Sequence, residues 1–176
     1  MAAALANVCF KGNARGFRML SRLVSLCPLL VVMAGPAEAA PRVLSGKAWA
    51  IDGDTLVIKG RHIRLFGIDA FEEGQTCGRM ACGGKATVAL EGLIGKGVIT
   101  CEQQDIDSYG RVVAICKSSS GVDLGREMVR RGLGVAYRSY STKYLADEQW
   151  AKANKQGAWA HGFDSPLHWR RTHSPT

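Results

Sequence analysis

Apolar and polar residues alternate between positions 43 and 68, with the period of two that is typical of β-strands. Turns that contain Gly53 and Gly60 interrupt the alternation. The pattern therefore predicts a meander of three strands, at residues 43–51, 56–59 and 62–68.

A helical period follows, with apolar residues on one side of segment 83–94 and glycines at its end. Strands are predicted again at 98–101 and 112–116, with a polar turn between them. Asp123 is a candidate N-cap for a helix that runs through Arg131, and 143–155 is a further amphipathic helix. The polar residues 165–176 are predicted to form a loose C-terminal tail.

Five short strands, interrupted by one helix and followed by two more, predict an α+β architecture. The arrangement is typical of an OB-fold, a small, partly open five-stranded β-barrel with about three packed helices. The chain has 176 residues, of which 47% are hydrophobic and 22% charged, so collagen-like, low-complexity and wholly disordered chains are excluded. The architecture by itself specifies no function.

The first 39 residues differ from the rest of the chain. Four basic residues precede an apolar run at 23–34, and small residues follow at 37–39. This order predicts a secretory signal peptide cleaved after Ala39, since about 12 apolar residues are too few to span a bilayer as a helix. A permanent anchor and a lipoprotein signal at Cys27 are the less favoured alternatives. Export to the periplasm or the medium follows, with a single domain at 40–164.

The predicted mature chain, from residue 40 onward, keeps a basic net charge and four of the six cysteines. The net charge is +8 for the whole chain, and 19 basic against 14 acidic side chains remain after residue 39, which favours an anionic partner. Four cysteines also remain, and they allow three pairings. We favour Cys77 with Cys82, which lie five apart in a loop, and Cys101 with Cys116, which each end a strand-like run. A four-thiolate zinc site is less favoured because no Cys-x-x-Cys pair occurs.

Acidic residues cluster around two predicted turns. Asp54 and Asp69 offer hard anionic oxygens for a divalent cation, and the carbonyl of Ala70 could supply a third ligand. Glu72, three residues after Asp69, could hold or deprotonate a water molecule. In isolation, the segment 52–54 is more often only a hairpin turn.

Two arginines complete this candidate site. Arg64 and Arg111 carry planar guanidinium groups that suit a pair of phosphate oxygens. Arg64 and Asp69 lie on opposite faces of an ideal strand, so they can converge only if the chain bends between them. The less specific alternatives are a surface ion pair between Arg64 and Glu72, and a plain turn at 109–111.

The ordered set of motifs resembles the staphylococcal nuclease (thermonuclease) family, in its secreted bacterial branch that carries cysteines. The matching stretches are IDGDT at 51–55, IRLFGIDAFE at 63–72, DSYGR at 107–111, DLGREMVRRGLGVAY at 123–137, and residues 148–159. The resemblance implies an OB-fold and calcium-dependent endonucleolytic hydrolysis of DNA and RNA, with 3′-phosphate products.

The resemblance also implies a role for each matching residue. The implied calcium ligands are the carboxylates of Asp54 and Asp69 and the carbonyl of Ala70, with Asp52 acting through water. Glu72 is the implied general base, and Arg64 and Arg111 are the implied phosphate-binding residues. Tyr109 and Tyr137 are implied to line the nucleotide pocket. Phe71 departs from the family, which usually has proline there, and a Cys77–Cys82 staple could compensate for the lost restriction of φ.

The expected partners are DNA and RNA, in single-stranded or flexible stretches, bound by a monomer without stable membrane association. One alternative from another class is a non-catalytic OB-fold module that binds nucleic acid or an anionic polysaccharide. A role in the assembly of envelope polysaccharide is a third possibility, although no residue here indicates a sugar site.

Overall fold

A computed structural model describes residues 42–173 of the chain. The predicted signal peptide, with Cys27 and the cleavage position at Ala39, lies outside the described residues, as does the end of the chain from 174 onward. Within residues 42–173, no helix is both long enough and apolar enough to cross a membrane.

Eight strands and four α-helices make up the described chain. They are β1 (Val43–Gly46), β2 (Ala48–Ala50), β3 (Thr55–Ile58), β4 (Arg61–Leu65), β5 (Ile68–Ala70), α1 (Cys82–Ile94), β6 (Ile99–Ile106), β7 (Val112–Lys117), α2 (Leu124–Arg130), β8 (Gly134–Ala136), α3 (Leu145–Ala153) and α4 (Pro166–His173), with a short 3₁₀ turn at Gly157–Ala160.

Six strands form one sheet in the order β1-β6-β7-β4-β3-β2. All its pairs are antiparallel except β4 with β7, which are parallel. β1 and β2 lie at opposite edges although only Lys47 separates them, so the sheet curls into a nearly closed barrel. Segment 43–51, predicted as one strand, is therefore two; counted as one bent strand, they give the predicted five-stranded barrel and confirm the OB-fold.

The core lies inside the barrel and beneath α1 and α2. Leu56, Ile63 and Leu65 from the strands meet Leu90 from α1 and Met128 from α2, and each is at most 1% exposed. Burial of one such side chain contributes about 1.5–3 kcal/mol, so this cluster contributes substantially to stability.

The predicted strand at 62–68 is interrupted at Phe66 and Gly67. The chain turns there, with Gly67 at a φ of +72°, a conformation that glycine adopts at little cost. β5 then pairs with β8 in a separate antiparallel ribbon that the sequence pattern did not predict. The required bend between Arg64 and Asp69 is thus present.

The first three helices match the predicted segments to within about two residues, but the last segment differs. Residues 166–173 form α4, where the sequence analysis expected a loose tail. The Ser165 hydroxyl accepts a hydrogen bond from the His168 N–H at 3.2 Å, and Pro166 occupies the first helical position. Ser-Pro is a recognised helix start, because serine caps a free N–H and proline has none to satisfy.

Both predicted disulfides are present, linking Cys77 to Cys82 and Cys101 to Cys116. The pairing excludes the alternative of a zinc site formed by the same four cysteines. Cys101 and Cys116 are directly paired residues of β6 and β7 and are each 1% exposed.

Replacing Cys101 and Cys116 together by alanine should lower the free energy of unfolding by about 3 kcal/mol. A link across 15 residues restricts the unfolded chain by roughly that amount. Urea denaturation of the variant and the oxidised parent measures the difference. An unchanged midpoint and slope would show that this link contributes nothing to stability.

Candidate active site

The predicted site residues line one cavity of about 690 Å³ at the mouth of the barrel. Those that line it are Asp52, Asp54, Arg64, Ala70, Glu72, Tyr109, Arg111 and Tyr137. Asp69 lies directly behind the wall, 2% exposed, and contacts the lining residue Arg64. Residues as far apart in sequence as Asp52 and Tyr137 are therefore brought to one place.

Asp52 shapes the turn that carries Asp54. Its carboxylate accepts hydrogen bonds from the N–H groups of Asp54 and Thr55, at 2.9 and 2.7 Å. Gly53 lets this turn approach α1 and β5, since a Cβ there would lie 2.6 Å from that of Ala86 and 2.7 Å from that of Ala70. The segment is the hairpin turn of the less specific interpretation, and it also puts Asp54 into the cavity wall.

Arg64 joins the two buried aspartates. Its guanidinium donates to Asp54 at 2.8 Å and to Asp69 at 2.9 Å, so both carboxylates converge on one point. Burial opposes its charge, but these carboxylates outweigh burial and raise the pKa of Arg64. The surface ion pair with Glu72 that the sequence allowed is wrong, because Glu72 pairs with Arg170 instead.

Asp54 is nearly inaccessible, and its carboxylate is only partly compensated. Burial is the largest influence on it and, with the negative charge of Asp52 and Asp69, raises its pKa to about 6, against the opposing effects of Arg64 and the Ala70 N–H. That N–H donates to Asp54 at 3.0 Å. Burial thus disfavours the charged form of Asp54, and a cation bound beside it would offset that cost.

This donor set fits a hard divalent cation such as calcium. Asp54 and Asp69 offer carboxylate oxygens of the hard type that calcium prefers. Those of Asp69 already accept from Arg64 and Arg170, so a bound ion would share this carboxylate with both guanidinium groups. Among residues 42–173, however, no three acidic, histidine or cysteine side chains form a ready-made ligand group. Backbone carbonyl and water oxygens would have to complete the shell, with Ala70 the neighbouring candidate.

Glu72 lies at the cavity rim, about one-third exposed, and its carboxylate accepts a hydrogen bond from Arg170 of α4. Arg170 also contacts both oxygens of Asp69, at 3.0 Å each. Arg170 was not among the predicted site residues, because residues 165–176 were expected to form a loose tail. The Ser-Pro helix start, with arginine and histidine after it, is the signal that could have found it.

Arg111 enters the cavity from the turn that precedes β7. Its Nε donates to the Asp107 carboxylate at 2.7 Å, and Asp107 also accepts the backbone N–H groups of Tyr109 and Arg111. The turn at 109–111 is therefore present, and it fixes a second guanidinium in the cavity that Arg64 also lines. Tyr109 is 83% exposed, with the Arg111 guanidinium carbon 5.5 Å from its ring centre.

Three further aromatic residues, Phe66, Tyr137 and Tyr140, form a small cluster. Tyr137 lies parallel to Tyr140, with ring centres 6.2 Å apart, and Phe66 contacts Tyr140 at 5.4 Å. The Tyr140 hydroxyl donates to Asp105. Tyr140 also lines the cavity and was missed by the sequence analysis, where it lay between predicted elements.

Phe71, the residue before Glu72, is 2% exposed and packs edge-on against Phe163 at 4.9 Å. The loop after Glu72 carries the Cys77–Cys82 link, and the Cys82 end of that link begins α1. The link is present as predicted, while its compensation for the absent proline stays a prediction.

Gly83 in α1 allows the closest approach to Glu72. A Cβ at Gly83 would lie 1.7 Å from the Glu72 carbonyl oxygen, whereas a Cβ at Gly84 would meet nothing within 4 Å. Gly83→Ala should therefore displace the Glu72 backbone and destabilise the fold by about 1–3 kcal/mol. Gly84→Ala, its matched control, should be neutral or stabilising by up to about 1 kcal/mol. Urea denaturation compares them; equal stabilities would contradict this packing.

Comparison with known proteins agrees with the geometry. Residues 62–161 match the family model described as staphylococcal nuclease homologue. The succinoglycan biosynthesis protein ExoI of Rhizobium meliloti is 33% identical over 147 residues, covering 79% of this chain and 76% of that protein. An uncharacterized endonuclease of Haemophilus influenzae is 29% identical over 162 residues, covering 87% and 88%.

A probable endonuclease, LCL3 of Scheffersomyces stipitis, is 32% identical over 126 residues, which cover 63% of this chain and 53% of that protein. The family match spans more than half of the chain and includes Arg64, Asp69, Glu72 and Arg111. Together with the barrel and the single cavity that the predicted site residues line, these similarities show that the chain belongs to the staphylococcal nuclease family.

Proposed function

We propose that this protein is an exported, calcium-dependent endonuclease that hydrolyses phosphodiester bonds in DNA and RNA and leaves 3′-phosphates. The observation that carries the proposal is one cavity containing Glu72, Arg64 and Arg111 beside the paired carboxylates of Asp54 and Asp69. Relatives named as endonucleases add support.

Glu72 is the proposed general base. Its carboxylate lies at the rim of the cavity, where water can reach it, and accepts the proton of the water that attacks phosphorus. The 5′-oxygen leaves opposite the attacking water. The Glu72 carboxylate can accept this proton only if it is oriented toward the water that attacks the phosphate.

Arg111 and Arg64 are the proposed phosphate-binding residues. Arg111 is anchored through Nε, and no acceptor among the described residues takes its terminal NH₂ groups, so these can bind phosphate oxygens. Arg64 is engaged by both aspartates and contributes positive charge at the cavity wall. Charge that increases on the phosphoryl oxygens during attack is stabilised by such fixed donors.

Asp54 and Asp69 are the proposed calcium ligands, with the Ala70 carbonyl beside them and Asp52 acting through water. Calcium held by these oxygens would supply positive charge that stabilises the negative charge developing on the phosphate. The identity of the ion is part of the proposal and is tested below by its removal.

Single-stranded or flexible nucleic acid is the proposed substrate form. Tyr109 and Tyr137 are the proposed stacking partners for bases, and the Tyr109 ring is exposed. A base can stack on such a ring only when its own faces are not covered by neighbouring bases of a duplex, which favours unpaired stretches. Two disulfides support an oxidising compartment and hence export. A monomer remains our expectation.

A non-catalytic module that binds an anionic polysaccharide is the second candidate. The observation in its favour is the similarity to a protein named for succinoglycan biosynthesis. A basic binding module would hold an anionic polysaccharide or a nucleic acid with an affinity that falls as the salt concentration rises, and it would form no product.

The deciding experiment incubates the purified, oxidised chain with single-stranded DNA and with RNA, in calcium and in chelator, and assigns the product ends. Cleavage that requires calcium and leaves 3′-phosphates supports the proposed nuclease. Salt-dependent binding to DNA or succinoglycan by a folded protein that yields no product would favour the binding module.

A further inference from the structure

The C-terminal segment, residues 159–173, contacts Glu72 through a side chain that is itself firmly held. The Arg170 guanidinium donates through both terminal nitrogens to the two oxygens of Asp69, at 3.0 Å each. Asp69 is 2% exposed and is also bound by Arg64 at 2.9 Å. A two-point contact with a buried carboxylate fixes the plane of the guanidinium.

From this fixed position, Nη1 of Arg170 donates to Oε1 of Glu72. Glu72 is one-third exposed, and a glutamate with that freedom samples several rotamers unless a partner selects one. The contact engages Oε1, and within residues 42–173 no hydrogen bond reaches Oε2, which is the oxygen proposed to accept the proton of water. Arg170 thus selects the orientation of the carboxylate.

The same segment also holds the main chain at Glu72. The Gln75 side chain, 1% exposed, accepts the Glu72 N–H at 3.0 Å and donates to the carbonyl of Asp164 at 2.8 Å. A buried amide satisfied on both sides is a rigid link. The backbone of Glu72 is therefore tied to the residues just before α4.

Aromatic packing supplies a third connection. Phe71 contacts Phe163 at 4.9 Å, and Phe163 contacts Trp159 at 4.8 Å, both edge-on. The residue before Glu72 is thereby packed on the C-terminal segment. Three independent contacts converge on one catalytic residue of the proposed mechanism.

We propose that Arg170 is a positioning residue: it holds the Glu72 carboxylate in the orientation from which it accepts a proton from the attacking water. The proposal rests on the proposed nuclease function. Arg170 also lines the cavity, but its proposed effect is exerted through Glu72 and therefore depends on the presence of that carboxylate.

Arg170→Gln in the full chain should lower kcat on single-stranded DNA at saturating calcium by about 10- to 100-fold, because small misplacement of a reacting group has effects of that size. KM should stay near its wild-type value. Arg171→Gln is the matched control, since it removes the same charge from an exposed neighbour in the same helix and should retain wild-type kcat.

A double-mutant cycle separates positioning from a general structural role. In the Glu72→Gln background, Arg170→Gln should cause no further loss of the residual rate, because the group it orients is already absent. Arg170→Lys retains the charge but not the two-point contact, and should recover only part of kcat. Thermal unfolding of each variant establishes that it is folded.

Three results would overturn the proposal. They are wild-type kcat in Arg170→Gln, an equal loss from Arg170→Gln with and without the Glu72 carboxylate, and an equal loss in Arg171→Gln. Absence of cleavage by the folded wild-type chain would overturn the proposed function as well. Cleavage by the wild type together with any of the three results would overturn the positioning role alone.

Discussion

Glu72→Gln is expected to reduce the turnover of single-stranded DNA by about 10²- to 10⁴-fold, the range that a general base contributes. Glutamine keeps the size of the side chain and an oxygen that can accept from Arg170, but its amide cannot take a proton from water. The rate of calcium-dependent cleavage at saturating substrate measures the effect. KM should not rise, since a negative charge is removed from a cavity that binds phosphate.

The matched control is Glu73→Gln, which removes the same charge from the adjacent, exposed residue. It should retain wild-type turnover, because only Glu72 lines the cavity. Both variants should unfold at the temperature of the parent, since Glu72 is itself one-third exposed. Wild-type turnover in Glu72→Gln would remove this residue from the mechanism.

Arg111→Ala is expected to reduce turnover by roughly 10³-fold, because a fixed donor to the reacting phosphate is lost. The fold should remain, since Asp107 still accepts the backbone N–H groups of residues 109 and 111. The lost ion pair with Asp107 is partly exposed and contributes at most about 1 kcal/mol. Turnover and thermal unfolding, measured on the same preparations, separate the two effects.

Arg61→Gln is the control for loss of positive charge, because Arg61 is exposed at the far end of the strand that carries Arg64. It should change turnover little, apart from a small effect on DNA affinity. Arg111→Lys should stay well below the wild type, since a single ammonium does not reproduce the planar fork. Equal turnover in Arg61→Gln and Arg111→Ala would reduce the role of Arg111 to general electrostatics.

Two segments of the candidate site were predictable because their residues follow local patterns. Asp52 and Asp54 flank a glycine in a turn, and Asp107 precedes another turn that carries Arg111, so short-range hydrogen bonds fix both segments. Spacing along the chain likewise predicted the pairing of Cys77 with Cys82. Arg170 was not predictable as a site residue, because its contact with Glu72 joins residues 98 apart in sequence.

The sequence by itself determined where most of the barrel strands and the first three helices lie and which acids and arginines are candidates, and it favoured the cysteine pairing that is present. These features depend on the alternation of apolar residues, on caps and on turns, which act over a few residues. Asp123 is an example, since its carboxylate caps α2 as its position in sequence predicts.

Only the tertiary structure decided which of these groups meet. The turn at Gly67 brings Arg64 to Asp69, and curling of the sheet divides segment 43–51 between two edges. Packing of Phe71 on Phe163 and docking of α4 then carry Arg170 to Glu72. Such contacts depend on the shape of the folded core and on the burial of charge, and the periodicity of a single segment predicts neither.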